Sequence, residues 1–585
     1  MSILSLEFLV LLFVLLLIYY CIPIRFRWIG LLAASMAFYA AAGLPGLIYL
    51  GSVTLITWLA GLYMGRSHEL EKAAKEAGDK VEAWRRYDMR RRWLRRTVML
   101  VIGGMVFIKY FGIIYTAVNA IYIGLTSSRT DLTAMTIIVP LGLSYFTFQS
   151  VGYVIDCARG KAQPERNPLK YLLFVSFFPQ ITQGPITSYK QLMPQLNAPA
   201  PFEPDAFTMG FQLLLWGYFK KMVVADRLAY LTNAVITGTD QRGWFILLGA
   251  ACYAVRLYAD FSGGMDVIRG AAKMLGVDVV ENFRRPFFST SVAEYWRRWH
   301  ISLGAWFRSY LFYPLTTSAL GLKLSKFGQK VLGKKVGRLL PGVVGTFLIF
   351  FLIGIWHVAN WNAVIYGAYF GFLLSASMVL EPILKSMRAK RRRAKEERAR
   401  RKAEAAAEKA ALAGIAEVTE AFEPVEAEVA APVPEACQEP QPEPGRFIAW
   451  LGRAGRVLLN VVVTTLRLVR TWVLIVLPQY FAFTAGPKEG FALLAGTFRN
   501  WSFADVTAPF IAITDPREWY ILIGAVALLL VVDILCECGV KVNEKLSRTC
   551  FLLRWPLLIA LILAILLVGC YGADFDASAF LYMQF

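Results

Sequence analysis

Apolar runs of membrane-spanning length alternate with short basic stretches along most of the chain. Runs near 3–21, 28–44 and 46–64 precede 66–96, a charged helical stretch ending in Arg90, Arg91, Arg92, Arg95 and Arg96. Further runs lie near 97–123, 135–155, 341–358, 361–380, 468–485, 518–535 and 554–571. A helix needs about 20 apolar residues to cross the hydrocarbon layer, so each run is predicted to be a span. Lys and Arg collect in loops that stay cytoplasmic. Loop 66–96 and the stretch bearing Arg159, Lys161, Arg166 and Lys170 are therefore expected on that side, and the polar tip Thr126 to Asp131 on the other. Residues 2–20 have no positive charge before them, and Arg25 and Arg27 follow. They are expected to be an uncleaved first span with its N-terminus outside.

The pattern changes at 171–260, which is apolar but interrupted by Pro179, Gly184, Pro185 and Pro194. Broken backbone at membrane depth is tolerated where it is buried in protein or lines a cavity, so re-entrant or half-helices are predicted there. Residues 262–340 hold few long apolar runs and many basic residues, and should lie largely on the cytoplasmic side. The expected fold is an all-α polytopic membrane protein of about eleven transmembrane helices plus re-entrant pieces, with no internal repeat. Its expected parts are N-terminal helices 1–65, a basic loop 66–96, a core 97–384, a polybasic then Ala/Glu/Pro-rich insertion 385–445, and C-terminal helices 446–585. Residues 385–402 carry eleven Lys/Arg against two Glu, and read as a solvated cytoplasmic insertion or a contact for anionic headgroups.

Composition narrows the class. Apolar residues make up 57% and charged residues 18% of 585, with a mean hydropathy of +0.50. Soluble domains average about 25% charged, so a soluble enzyme, a disordered chain and a disulfide scaffold are all excluded. The net charge of +21 fits cytoplasmic loops, because the basic runs adjoin apolar spans. Nucleic acid is not an expected partner. Eight cysteines show no C-x-x-C and no nearby His, so no metal site is expected.

Only three histidines occur. His68, in the charged loop, reads as structural. His300 lies in EYWRRWHISLGAWFRSYLFYP, 294–314, where Trp296, Trp299 and Trp306 adjoin Arg297, Arg298 and Arg308. Helical spacing sets aromatic and basic residues on neighbouring faces. That suits anchoring at the membrane interface, or a pocket for a phosphate-bearing donor. His357 ends the apolar run from Val343 to Trp356, inside IGIWHVANWN. A titratable group within a span is expensive. It is either a His bonded to a neighbouring helix or a general base, kept neutral by desolvation and able to take a proton from a hydroxyl. G-x-S-x-G, H-E-x-x-H, P-loop and G-x-G-x-x-G patterns are absent, and neither His300 nor His357 has Asp five residues on.

EYWRRWHISL followed by IWHVANW resembles the membrane-bound O-acyltransferase family, in particular the bacterial branch that includes alginate O-acetyltransferase. LGLSYFTFQSVGYVIDCARG (141–160), FVSFFPQITQGPITSYKQLMPQL (174–196), ADRL (225–228), LYADFSG (257–263), ENFRRPFF (281–288) and the terminal LYMQF look similar to the same branch. The resemblance implies helices around a central tunnel, with acyl transfer from a cytoplasmic thioester to a hydroxyl. It implies that His357 is the catalytic histidine and that His300 lies nearer the cytoplasmic opening. Four features depart from the pattern: Val358 in place of Gly, FSGGMD at 261–266, Ser309 in place of Asp, and the long insertion. They leave donor and acceptor open.

The expected function is transfer of an acyl group, foremost acetyl, from acetyl-CoA or an acyl carrier to an extracytoplasmic envelope polysaccharide or an esterase-like partner. The setting is the bacterial cytoplasmic membrane. No bound cofactor is expected. Arg297, Arg298 and Arg308, with Trp296 and Trp299, are assigned to the donor, and Asn360 or Asn362 to orienting the imidazole or the acyl oxygen. The alternatives are D-alanyl transfer to teichoic acid and, from other classes, a transporter or a scaffold.

Overall fold

The computed structural model describes residues 3, 5–41, 43–126, 139–237, 243–358, 360–420, 444–499, 501 and 515–570. Most of the polar tip after Thr126, the Ala/Glu/Pro-rich stretch 421–443 and the terminal LYMQF lie outside them. Every regular element among the described residues is helical. Eight helices there are long and apolar enough to cross a membrane. Against about eleven expected, the difference lies in three shorter elements: α1 (Leu6–Tyr19), α2 (Arg27–Ala40) and α5 (Leu143–Ala158).

The eight begin with α3 (Leu44–Glu76) and α4 (Lys80–Thr126). These are antiparallel, and both continue past the apolar span into the charged stretch 66–96. There Glu71 is buried and pairs with Arg90 at 2.5 Å and Lys75 at 2.6 Å, zipping the two polar ends together. His68 packs against Gly160, whose positive φ and missing Cβ make room for the ring. The outer surface is a belt of exposed apolar side chains such as Leu55, Phe107, Leu466, Leu530 and Leu567. Such a belt is stable only against lipid.

The proline-broken stretch folds as short pieces: α6 (Pro168–Ser176), single turns around Phe178–Ile181, and a helix at Tyr189–Asn197. Then come α7 (Pro204–Tyr218), a π-helical segment Phe219–Ala225, and α8 (Asp226–Thr237). α9 (Gly243–Met274) is the most enclosed span, with 67% of its apolar window buried. It packs along α7. Two glycine pairs allow the close approach: a Cβ on Gly217 would lie 2.6 Å from the Gly263 carbonyl oxygen, and one on Gly210 would lie 2.8 Å from that of Gly270. Small residues let helix backbones touch where lipid supplies no hydrophobic drive.

Two adjacent lysines in the π segment are buried against α9. Lys220 pairs with Asp266 at 2.7 Å and donates to Ser262 at 2.9 Å. Lys221 bridges Asp226 at 2.8 Å and Asp260 at 2.6 Å. ADRL and LYADFSG thus form an internal ion network. Removing one partner of such a network leaves an uncompensated buried charge, which costs about 3–5 kcal/mol.

Short helices α10 (Val292–Arg298) and α11 (Ile301–Phe307) follow, then the hairpin of α12 (Leu340–His357) and α13 (Trp361–Glu420). Gly354 and Gly367 set the hairpin's spacing, since a Cβ on Gly354 would meet the Ala363 carbonyl oxygen at 2.4 Å. The remaining spans are Val457–Ala482, whose helical core is α14 (Pro444–Val476), α15 (Pro516–Glu537) and α16 (Phe551–Val568).

Candidate active site

α10 starts where Ser291 Oγ accepts from Glu294 N at 3.2 Å, and ends at Trp299 in extended backbone. His300 then turns left-handed, with φ 47° and ψ 53°. Among the described residues only Arg285 and His300 are non-glycine positions with positive φ. For an L-residue this costs about 1–2 kcal/mol and persists where surroundings enforce it. Here the enforcing element is ENFRR. Ile301 N donates to the Asn282 carbonyl at 3.0 Å, and Arg284 N to that of Arg298 at 2.9 Å. The two segments run side by side, and the turn drives the His300 ring inwards, where it is 3% exposed.

Asn282, also buried, holds that ring. Its Oδ1 accepts from Ser302 N and Ser302 Oγ, both at 2.9 Å. Both amide atoms face His300 Nδ1, Nδ2 at 3.2 Å and Oδ1 at 3.3 Å. Because Oδ1 already accepts twice from Ser302, we assign Nδ2 as the donor to the ring. Nδ1 is then the acceptor and Nε2 carries the proton. Phe261 meets the ring edge-on at 4.9 Å. Burial, and after it Coulombic coupling to His357, hold the His300 imidazole well below its ordinary range, so it is neutral. The two histidines, 57 residues apart in sequence (357 − 300), are therefore within electrostatic reach of one another.

His357 is the last residue of α12, and Val358 leaves in extended conformation. The carbonyls ending a helix need outside donors. α4 supplies two: Tyr110 OH donates to Ile355 O at 2.8 Å, and Lys109 Nζ donates to Trp356 O. The Lys109 ammonium also lies 5.0 Å from the Trp356 ring centroid. Trp356 in turn packs on His357 at 4.6 Å and on Phe148 at 5.5 Å. The imidazole is thus seated by an aromatic wall whose backbone is pinned by a partly buried cation.

The two asparagines do other work. Asn360 is exposed, and its Oδ1 caps α13 by accepting from Ala363 N at 2.8 Å. Asn362 is buried and donates from Nδ2 to Thr484 O at 2.7 Å, while its Oδ1 has no hydrogen-bond partner among the described residues. Their observed bonds anchor backbone rather than orient an imidazole.

Trp296, Arg297, Arg298 and Arg308 converge on one groove of about 560 Å³, joined by Arg284 and Arg285. Five arginines against Glu294 and Glu537 leave a formal excess of 5 − 2 = +3. Arg298 is committed, to Glu294 at 2.7 Å and Glu537 at 2.9 Å, Arg285 to Glu537 at 2.9 Å, and Arg284 to Glu281 at 2.7 Å, a carboxylate outside the groove lining. Burial pushes the Glu294 carboxyl up. Hydrogen bonds from Thr290 and the Arg298 charge outweigh it, so Glu294 stays ionised below the usual range. Arg297 and Arg308 are exposed and make no ion pair among the described residues. They are the guanidinium groups open to a phosphate. Trp299 departs from expectation. It is 6% exposed and stacked on Tyr295 at 5.5 Å, inside the aromatic core rather than on the groove wall. At i+3 from Trp296 it would share that face of a continuous helix, but the chain leaves the helix at Trp299 itself.

Sequence reasoning passed over Lys109, Asn282, Arg284, Arg285 and Glu537 as site residues. Lys109 had a signal, a charge inside an apolar run, the same logic that singled out His357. Arg284, Arg285 and Asn282 sat in a segment noticed only for its resemblance. Glu537, 239 residues from Arg298, had none.

The sequence model of MBOAT, the membrane-bound O-acyltransferase family, matches residues 141–397. The chain is 32% identical to the probable alginate O-acetylase AlgI of Azotobacter vinelandii over 62% of its own length and 66% of that protein. It is 32% identical to the probable alginate O-acetylase AlgI of Pseudomonas putida, over 62% of this chain and 67% of that one. It is 29% identical to the peptidoglycan O-acetyltransferase of Helicobacter pylori, over 49% and 55% respectively. The match thus spans about two thirds of the length of the alginate relatives, and less than two thirds of the first.

Proposed function

Because the chain belongs to the membrane-bound O-acyltransferase family, we propose that it transfers an acyl group, foremost acetyl, from a cytoplasmic thioester to a hydroxyl of an extracytoplasmic polysaccharide or of a partner protein in the bacterial cytoplasmic membrane. The observation that carries this reading is the arginine groove on α10 and α11, whose junction is His300, itself within electrostatic reach of His357. Arg297 and Arg308 grip the phosphates of coenzyme A, and Trp296 offers the adenine a flat apolar neighbour. His357 removes the acceptor's hydroxyl proton. The oxygen attacks the thioester carbonyl, the carbon–sulfur bond breaks, and the departing thiolate takes the proton from the imidazolium. His300, donating from Nε2, stabilises the charge that develops on the carbonyl oxygen.

D-alanyl transfer from a carrier protein uses the same chemistry. A carrier's phosphopantetheine presents a single phosphate, whereas coenzyme A presents several. A groove with two arginines left unpaired among the described residues, Arg297 and Arg308, favours the latter. The test is purified protein given acetyl-labelled coenzyme A and an envelope polysaccharide acceptor. Label should move to the acceptor in wild type and not in His357→Ala. Label transfer by purified His357→Ala at the wild-type rate refutes the assignment. Movement of an intact solute with no thioester consumed would instead support a transporter.

A further inference from the structure

A second cavity, of about 650 Å³, lies between the family core and the C-terminal spans. Its core side is formed by α7, the π segment and α9, and its far side by α15 and α16, which lie beyond the residues the family model matches. One part of its lining is apolar: Trp216 and Phe219 from the core side, with Leu528, Leu557, Leu561 and Ala564 from the far side. Another part is charged and lies at the end of α15 that adjoins the arginine groove, since Arg285 lines both cavities.

The two cavities differ in charge. The second has four cations, Lys220, Arg269, Arg285 and Lys541. It also has four carboxylates, on Asp266, Glu281, Asp533 and Glu544, so the formal sum is 4 − 4 = 0. Several are mutually paired: Lys220 with Asp266 at 2.7 Å and Lys541 with Glu544 at 2.8 Å. A polyphosphate has no reason to choose this end over the +3 groove beside it. Gln212 also lines the cavity, 2% exposed, with neither Nε2 nor Oε1 hydrogen-bonded among the described residues. An orphaned amide in an apolar wall costs about 1–3 kcal/mol unless something in the cavity meets it.

We propose that this cavity is a binding site for a zwitterionic diacyl phospholipid. One acyl chain lies along the apolar end, its ester group meets Gln212, and its headgroup sits among the balanced charges. The chemistry fits on three counts. The apolar end accepts a hydrocarbon chain, the amide can donate to an ester carbonyl, and the paired charges can receive an ammonium and a phosphate together. The site would fasten the C-terminal spans to the family core, and it is independent of whether the protein transfers acyl groups.

The experiment is mass spectrometry of phospholipid retained by the full-length protein purified in mild detergent. Thermal unfolding is then measured after transfer to nanodiscs of either phosphatidylethanolamine or phosphatidylglycerol. Wild type should retain about one zwitterionic lipid per chain and unfold at higher temperature in phosphatidylethanolamine. Ala564→Trp, which fills the apolar end, should cut retention roughly fivefold and remove the difference between the two nanodiscs. Gln212→Leu is close to glutamine in size and removes only the amide. It should weaken retention even if the tryptophan variant fails to fold. Equal retention in both variants overturns the proposal, as does preferential retention of the anionic lipid or the absence of any bound lipid.

Discussion

Asn282 Nδ2 lies 3.2 Å from His300 Nδ1 while its own Oδ1 serves both donors of Ser302. One buried amide therefore fixes a ring, its tautomer and a helix start together. Asn282→Asp preserves shape but offers only acceptors, so it should move the His300 proton to Nδ1. Transfer should fall by ~10²-fold, with the unfolding temperature changed far less than in Asn282→Ala. The alanine variant leaves Ser302 and His300 unpaired and should lose about 2–3 kcal/mol of stability. Equal activities for Asp and Asn at 282 would remove His300 from the chemistry.

Lys109 is a cation inside a span whose job is to hold the end of α12. Lys109→Met should lower the acyl-transfer rate by ~10-fold or more, because a shift of about 1 Å at the imidazole is enough to misalign it. KM for the thioester should hardly move. Lys109→Arg, which keeps a donor, should recover part of the rate. Steady-state kinetics on the purified variants decide this, and a change confined to KM would place Lys109 with the donor instead.

The groove arginines should separate into two groups. Arg297→Glu and Arg308→Glu should raise KM for coenzyme A thioester by ~10-fold with unchanged unfolding temperature, an effect shrinking as salt rises. Arg298→Ala should instead lower the unfolding temperature, since Glu294 loses its ion pair and Glu537 keeps only Arg285. Exposed or half-exposed pairs contribute about 1 kcal/mol or less, so the shift should be small but measurable.

Glu294 gives the groove an acid sensitivity. Its folded-state pKa is depressed, since the Thr290 bonds and Arg298 outweigh the upward push of burial. Its stabilising contribution is therefore complete above the unfolded carboxyl value of about 4.3. It is lost as pH falls through the lower folded value. Thermal unfolding between about pH 7 and pH 3 should fall more steeply in wild type than in Glu294→Gln. Parallel curves would show that the pairing in the groove adds nothing.

The spans were legible because a 20-residue apolar run has one physical meaning in lipid, and α3, α4, α12, α15 and α16 lie where those runs lie. The proline-broken stretch was legible only as broken. No local rule says that Lys220 and Lys221 would turn inward on a π segment to meet Asp260 and Asp266. Of the site, His300 and His357 stood out by rarity and setting, and four of the aromatic and basic neighbours assigned to the donor do share one groove. Trp299 was misassigned because helical periodicity was carried one residue past the helix end. Asn282 and Glu537 were out of reach, since each acts across a fold-level contact that spacing does not encode.

The left-handed backbone at His300 complicates the usual way of asking what a side chain does. Replacing it with alanine removes the imidazole but keeps a Cβ in a conformation that alanine resists, so any loss mixes missing chemistry with a distorted hinge. Glycine at the same position removes the ring and is content with that turn. The difference between the two variants measures the hinge alone, and what they share belongs to the ring.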